Sequence, residues 1–441
     1  MKDCPRMMLT RMPLLTALLF ASGLQAQEPT PLSLDEALAS VDRVNVNVLL
    51  SRESVGLAME AANQQRVGLL PNVSLSAQQR RTKSSSISET SKSEGTPADR
   101  FDGRLSGSYM LYSPQQMAFR RAALVGVKVA ELDLETTLQS VMASVAQTFF
   151  AHLRNVKRIS VLDANAQRAR ELVTLARNRA EAGAALQIDI TRAEAQLAIA
   201  EQARIQQDTV VYQSELLLKR LLDLDPAASL RLEDFEVRRT EQPRFVDGFE
   251  QTLFEKRVEY LRLKQALQQN QELFRASKLD RYGTLSLSGE WNLANTRVYE
   301  DDPQQGWAAG VAMSIPVFDG FRSRTNQRIA LSQIRSQEFR LRQLELLISS
   351  EVRLAVQDAR SRLAQVGVAE KSLRLAREEL DLAEKRFREG VADNRELIDA
   401  QNRLGQAGDN LNEAIYLYNL SRVELARTQG DVKGILSERQ K

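Results

Sequence analysis

This chain contains a long segment without proline in which apolar residues recur at helical spacing. The segment runs from Gln115 to about Arg179. Its apolar side chains repeat every three or four residues, as on one face of an α-helix: Leu134, Leu138, Val141, Val145, Phe149, Leu153 and Val156. At about 1.5 Å per residue, one such helix, or two collinear ones, would extend on the order of 100 Å. The sequence therefore predicts an extended molecule.

The same organisation occurs twice. A second proline-free helical segment follows Pro316, and a glycine interrupts each segment, Gly183 in the first and Gly390 in the second. These glycines lie 207 positions apart, and at that offset Asp189 aligns with Glu396. Two long amphipathic helices can look alike by chance, but here the flanking elements repeat in the same order. The sequence predicts an internal duplication with these boundaries: a first repeat over 27–226, a second over 227–430 and a C-terminal tail over 431–441.

Each repeat also contains segments that alternate apolar with small or polar residues, the two-residue period of a β-strand. In the first repeat the pattern predicts a β-hairpin over about 72–113, with its second strand at 104–112. In the second repeat it predicts a hairpin over about 283–316. Residues 81–100 are rich in Ser, Thr, Lys and Gly, so they are interpreted as an exposed loop between the first two strands.

Further helices flank these hairpins. Ser33 and Glu36 have capping-box spacing, so a helix is predicted from there to about residue 70, before Pro71. Others are predicted over 186–222, over 249–279 and from Gly390 to about Thr428. Aromatic residues make up only 5% of the chain, which suits long helices packed side by side better than a globular core.

The predicted strands have the length and composition of segments that cross an outer membrane. About 9 to 11 residues suffice for a tilted strand to span it. Aromatic residues in or beside the hairpins are candidates for interfacial girdles: Tyr109, Tyr112, Tyr282, Trp291, Trp307 and Phe318. A soluble sheet with an aromatic core is the alternative, but the interspersed Ser and Gly favour one apolar face and one small polar face.

Four strands cannot close a barrel by themselves. An open sheet edge in lipid would leave N–H and C=O groups unpaired, at a cost of several kcal/mol each. Self-association is therefore expected. Two copies would supply eight strands, whose interior side chains would fill, whereas three would supply twelve and leave a lumen.

The N-terminus has the pattern of a secretion signal. Basic residues precede a short apolar run, and the small residue Ala26 follows it, so residues 1–26 are predicted to be a signal peptide. The only cysteine, Cys4, would be removed with it, which excludes disulfides and acylation at cysteine. The net charge of +3 for 441 residues makes nucleic acid an unsuitable partner.

Several short motifs resemble the TolC family of outer-membrane efflux proteins, in the family's order and over essentially the whole mature length: residues 32–38, 70–73, 314–320, 386–390 and 397–401. The resemblance implies an α+β membrane protein, internally duplicated and trimeric. A long α-helical coiled-coil tunnel would join a transmembrane β-barrel, to which each chain contributes four strands. It also implies an outer-membrane location and a duct exporting proteins or small toxic compounds. Its partners would be outer-membrane lipid, a periplasmic adaptor protein and an inner-membrane ABC or RND transporter.

The resemblance also implies a carboxylate ring at the periplasmic entrance, at Glu396 and Asp399. Such a ring would favour cations. Two plainer interpretations remain open. Glu396 has capping-box spacing with Asp393, and Asp399 has the spacing of a solvated helix face.

Asp189 matches a family position that holds the closed tip through polar links to a Tyr and an Arg. In this sequence those partner positions are Phe387, without a hydroxyl, and Ala392, without a charge. The family's usual lock therefore cannot form. Arg192 and Arg395 are the nearest substitutes and are predicted to take part in gating.

An enzyme is disfavoured, because His152 is the only histidine and neither a phosphate loop nor a serine nucleophile motif is present. No cofactor or metal site is predicted. A periplasmic coiled-coil adaptor or a fibre protein is the alternative function, although neither needs two strand hairpins that collect both tryptophans. The cargo stays open, with the absence of an acylated cysteine favouring protein secretion or a shared exit duct.

Overall fold

The computed structural model describes residues 32–83, 85–88, 91–94, 96–183, 186–234, 249–298, 301–389, 391 and 394–432. The predicted signal peptide, Gly390, Ala392 and Asp393 lie outside these ranges. Within them the chain is mostly helical, with one main sheet. No helix in these ranges is both long enough and apolar enough to cross a membrane.

The helices of the first repeat are α1 (Leu34–Val44), α2 (Val46–Val67), α3 (Pro114–Glu181) and α4 (Gln187–Leu221). Helix α3 is continuous over 68 residues, which corresponds to about 100 Å. It begins where Pro114 presets the backbone at the first helical position, and Ser113 Oγ accepts the N–H of Gln116. The long helix predicted from the apolar stripe is therefore a single one.

The second repeat has the same arrangement: α5 (Phe249–Lys256), α6 (Val258–Leu279), a short 3-10 turn (Asp280–Tyr282), α7 (Arg322–Arg388) and α8 (Asn394–Thr428). Helix α7 covers 67 residues. Helix α3 packs against α2, α4, α6 and α8, and α7 packs against α6 and α8. Helices α2 and α4 thus lie at one side of the chain and α7 at the other.

Two helices that the sequence predicts as continuous are each broken at one residue. Asn45 separates α1 from α2, because its extended backbone lets its Oδ1 accept the N–H of Asn47 at 3.0 Å and cap α2. Arg257 separates α5 from α6, also in an extended conformation. The first helix also ends at Val67, four residues before Pro71.

Four strands form one antiparallel sheet in the order β1-β4-β5-β6: β1 (Asn72–Thr82), β4 (Ala98–Tyr112), β5 (Thr284–Asn295) and β6 (Gln304–Ser314). Each hairpin pairs internally, and β4 pairs with β5 to join the repeats. The predicted loop at 81–100 is wrong in part, because β1 and β4 extend into it and the small hairpin β2 (Ser85–Ser88) with β3 (Ser91–Glu94) occupies its centre.

A core between the two ends of the helices joins α1, α3, α4 and α8. Its largest fully buried side chains include Phe149, Leu34 and Leu218, and Leu32 bridges to Leu232 beside it. Val432 belongs to this core and is 1% exposed. The packed chain therefore continues into the segment predicted as a tail.

Candidate functional site

The sheet has one apolar and one small polar face, as the strand period predicts. Cross-strand partners share a face, so the row Leu75, Leu105, Trp291 and Trp307 lies on one side. The adjacent row, Ser74, Ser106, Glu290 and Ala308, lies on the other. A groove of about 400 Å³ follows this polar face. The side chains of the apolar row are exposed in the single chain, with Trp307 81% exposed.

The predicted aromatic residues occupy both ends of this face. Trp291 and Trp307 are direct cross-strand partners near the loop end. Tyr109 and Tyr112 lie on the apolar face toward the helices. Tyr282 precedes β5 and Phe318 follows β6, where the Phe318 ring meets that of Phe321 edge to face at 5.6 Å. All six are exposed.

The helical tip lies at the far end of α3 and α7, where each repeat reverses direction. In the first repeat Gly183 has a φ of +71°, in the left-handed region that glycine adopts without strain. The Asp189 carboxylate accepts the N–H of Leu186 at 3.1 Å and so caps the start of α4. Arg192 lies 3.8 Å from the same carboxylate.

An apolar cluster holds the two repeats together at this tip. All of its members are less than a tenth exposed, and they come from α3, α4, α7 and α8: Leu172, Val173, Ala176, Ala193, Leu380, Ala383, Phe387, Leu397 and Ala400. Alanine at several of these positions lets the helix backbones approach closely. The tip is therefore one packed unit built from both repeats.

Three polar contacts cross between the repeats beside this cluster. Arg179 Nη1 donates to the carbonyl oxygen of Phe387 at 2.9 Å, and its guanidinium carbon lies 4.5 Å from the centre of the Phe387 ring. Asn394 Nδ2 donates to the carbonyl oxygen of Asp189 at 3.0 Å. Gln196 Nε2 donates to Asn402 Oδ1 at 2.7 Å. These contacts connect the end of each long helix to the other repeat.

The equivalent arginine of the second repeat has a different partner. Arg386 lies 207 positions after Arg179, and its guanidinium donates to both carboxylate oxygens of Glu396, at 2.9 and 3.4 Å. Both side chains are about half exposed. Glu396 is the counterpart of Asp189. The second repeat therefore pairs Arg386 with Glu396, whereas in the first repeat Arg179 contacts Phe387 and Asp189 caps α4.

The predicted gating residues are only partly brought together. Asp189 contacts Arg192, but in the described ranges no ion pair joins it to Arg395, which is exposed on the first turn of α8. Glu396 is held by Arg386, and Asp399 is exposed one turn further along α8. Arg179 and Asn394 were not among the predicted site residues. The 207-residue offset, which aligns Arg179 with Arg386, is the sequence signal that points to Arg179.

His152 is buried and lies within hydrogen-bond distance of another side chain. It is 4% exposed, and its Nδ1 lies 2.9 Å from Ser214 Oγ, which donates to the carbonyl oxygen of Val211. Burial lowers the pKa of the imidazole. Among the described residues, no cluster of His, Cys, Asp and Glu side chains is arranged to hold a metal ion.

Comparison with known proteins identifies the class. The family model described as outer membrane efflux protein matches residues 39–223 and 251–431, one segment in each repeat. The chain belongs to this family. It is therefore a protein of the outer membrane and of an efflux channel class rather than an enzyme class.

Individual relatives of this efflux protein support the family assignment. It is 24% identical over 356 residues to the pyoverdine export outer membrane protein OpmQ of Pseudomonas putida, across 78% of this chain and 71% of OpmQ. Its fold matches the Campylobacter jejuni outer membrane channel CmeC with a TM-score of 0.79, at 18% identity, covering 92% of this chain and 89% of CmeC. Vibrio cholerae VceC matches with a TM-score of 0.75, at 16% identity, covering 90% of this chain and 96% of VceC.

Proposed function

We propose that three copies of this efflux protein form a continuous duct across the outer membrane and the periplasm, through which cargo leaves the cell. The proposal rests on the four-stranded sheet, which has an exposed apolar face and two edge strands, β1 and β6, whose outer sides pair with no other described strand. Strands β1 and β6 run in opposite directions, so β6 of one copy suits antiparallel pairing with β1 of the next. Three copies give about twelve strands and an open lumen.

The helices support the same assembly. Helix α7 exposes large apolar side chains along its length, including Phe339, Leu354 and Leu382 at 59 to 75% exposure. Helix α4, at the other side of the chain, exposes Ile199 and Ile205 at 61 and 69%. Exposed apolar surfaces of this extent usually mark contact sites. In a ring of copies, α7 of one chain would cover α4 of its neighbour.

The cargo and the partners follow from this duct. A closed tip held by Arg179 and Asn394 would open on docking to a periplasmic adaptor and an inner-membrane ABC or RND transporter. The relative OpmQ is named for pyoverdine export, which favours a small secreted compound over a protein. The carboxylates at the entrance, Glu396 and Asp399, would then act on ions and cargo at the tip.

A cysteine cross-linking scan tests the strand seam. Cys4 is the only cysteine, and it is expected to be lost with the signal peptide, so introduced cysteines would be unique. Leu75→Cys on β1 is combined in turn with cysteine at each of positions 305, 307, 309, 311 and 313 on β6, which share its face. We expect oxidation to cross-link one register strongly and to give covalent dimers and trimers, but no higher species. Cross-linking in no register, or a mature protein that is monomeric without detergent, would contradict the duct.

A further inference from the structure

A cavity of about 490 Å³ lies where the helices of the second repeat meet the sheet. It is bounded by α3, α6, α7 and the short 3-10 turn before β5. Its wall includes Ala118 of α3, Leu279 at the end of α6 and Gln327 of α7. No described residue of the helical tip is part of this wall.

The cavity is strongly basic. Arg121, Arg275, Lys278 and Arg281 line it, together with Tyr282, and no carboxylate is among the described residues of its wall. Among the described residues, the carboxylate that pairs with a cation of this wall is that of Glu272, whose Oε1 accepts from Arg275 at 2.5 Å. The three other cations, Arg121, Lys278 and Arg281, are exposed and concentrate positive charge on one opening, which attracts anions.

Aromatic rings rather than carboxylates position two of these cations. Lys278 Nζ lies 4.2 Å from the centre of the Phe274 ring, and the Arg281 guanidinium lies 5.0 Å from that of Tyr282. Arg281 Nη2 also donates to the Tyr282 hydroxyl at 3.0 Å. Cation–π contacts hold a cation in place without neutralising it. The hydroxyl and the guanidinium together suit an oxyanion with several acceptor oxygens.

The distance of the cavity from the apolar face of the sheet indicates the kind of anion. Tyr282 is three residues before Leu285, the first residue of β5 on the apolar face. At about 3.3 Å per residue the cavity lies within roughly 10 Å of the apolar band. The headgroup layers of a bilayer are of that order in depth. It is on the helix side of the sheet, where the duct would enter the periplasm, so the nearest phosphate groups would be those of the periplasmic leaflet.

The first repeat provides an internal contrast. Strands β1 and β5 begin at Asn72 and Thr284, so positions 275, 278 and 281 correspond to Asn63, Arg66 and Leu69. Only one of these three is a cation. At these three positions the second junction therefore has three cations where the first has one.

We propose that this cavity binds the phosphate group of an anionic phospholipid at the periplasmic boundary of the membrane. This inference rests on the proposed position of the sheet in the membrane. Arg121, Lys278 and Arg281 would bind the phosphate, and the Tyr282 hydroxyl would donate a hydrogen bond to one of its oxygens. Basic pockets at this depth recognise anionic headgroups in other membrane proteins.

Lipid binding to the detergent-purified full-length protein tests the proposal by native mass spectrometry. Phosphatidylglycerol is compared with phosphatidylcholine of the same acyl chains, for the natural protein and for the triple variant Arg121→Gln, Lys278→Gln, Arg281→Gln. Arg275 is retained because its loss would leave Glu272 unpaired. The matched control, Arg66→Gln, Lys264→Gln, Lys371→Gln, removes the same charge from exposed helix positions outside the cavity wall.

We expect the natural protein and the control to prefer phosphatidylglycerol, and the triple variant to bind it roughly 100-fold more weakly. An unchanged preference in the triple variant would overturn the lipid site. Displacement of phosphatidylglycerol by millimolar inorganic phosphate would also overturn it, because the source would then be a soluble anion. If the triple variant does not assemble, Lys278→Gln and Arg281→Gln are measured singly, and each is expected to weaken phosphatidylglycerol binding by about 3-fold or more. Unchanged binding in both single variants would likewise overturn the site.

Oligomer mass and single-channel conductance are recorded on the same preparations. A triple variant that stays trimeric and conducts, but keeps its lipid preference, would remove the lipid site and leave the duct in place. A natural protein that is monomeric in detergent would instead contradict the duct. The two failures are therefore distinguishable.

Discussion

Asn45 in the first repeat and Arg257 in the second break their helices at equivalent positions, 212 residues apart and each 27 residues before a strand begins. Each side chain donates to the last residue of its own repeat's final helix. Asn45 Nδ2 donates to the Leu221 carbonyl at 2.8 Å, and Arg257 Nη1 to the Thr428 carbonyl at 3.0 Å. Different residues thus satisfy the same otherwise unpaired helix end.

The tip shows the opposite relation. Arg179 and Arg386 are the same residue at equivalent positions, yet Arg179 contacts the other repeat and Arg386 stays within its own. Backbone groups at a helix end need a hydrogen-bond partner in every copy of the repeat. The contact to the helix-end carbonyl group is therefore kept even though the side chain that makes it differs between Asn45 and Arg257. A surface ion pair stabilises little, so its partners are free to diverge. Under the proposed function, Arg179 is therefore the candidate gating residue.

The largest effect is expected where β1 and β5 begin, because the two repeats differ there. Pro71 precedes β1, whereas Gly283 precedes β5 with a φ of +70°. A Cβ at Gly283 would lie 2.2 Å from the carbonyl oxygen of Ser314. We expect Gly283→Ala to cost about 3 to 6 kcal/mol, from backbone strain and overpacking together, and to abolish assembly. Pro71→Ala should cost under about 1 kcal/mol.

The yield of heat-resistant oligomer in the membrane fraction, on unheated gels, measures this difference. Gly183→Ala is the matched control, because that glycine also has a positive φ but nothing lies within 4 Å of its added Cβ. Similar yields for Gly283→Ala and Pro71→Ala would show that the second junction tolerates the shift and that the residues preceding β1 and β5 are equally replaceable.

A smaller effect is expected from the two tip arginines. Arg179→Ala removes a charged hydrogen bond and a cation–π contact between the repeats, together about 2 kcal/mol after allowance for partial exposure. We expect it to raise the open fraction of single channels in planar bilayers by about 10-fold or more. Arg386→Ala removes only an exposed pair within one repeat, so its open fraction should change by less than about 3-fold.

Equal opening by the two variants would show that the tip is not held by contacts between the repeats. Arg177→Ala is a suitable control, since Arg177 also lies at the end of α3 but pairs with Glu194 of its own repeat. Opening by that variant would indicate a general loss of helix stability at the tip.

The sequence predicted the repeated elements because they depend on local patterns. Apolar spacing predicted α3 and α7, and alternation predicted the two faces of the sheet. It did not predict the breaks at Asn45 and Arg257, whose side chains also donate to carbonyl groups more than 170 positions away, because such long-range contacts leave no local pattern. Nor did it predict the Arg179 contact, because a backbone carbonyl and a ring face leave no complementary charge in the sequence. The charges near Asp189 and Glu396 pointed to Arg192 and Arg395 instead.

The smallest effect is expected at the proposed entrance carboxylates, Glu396 and Asp399. There, the role of Arg386 can be measured as a change in channel block by trivalent cations. Arg386 occupies both oxygens of Glu396, whereas Asp399 is exposed, with no ion pair to it among the described side chains. We expect Asp399→Asn to weaken block by hexaamminecobalt about 3-fold, and Arg386→Gln to strengthen it by a similar factor because it removes the positive charge beside Glu396. The double variant Arg386→Gln, Glu396→Gln tests whether the Glu396 carboxylate binds the cation directly, because in that case the gain should be lost. Retention of the gain in the double variant would mean that Arg386 acts only as a repelling charge and that Asp399 alone forms the cation site.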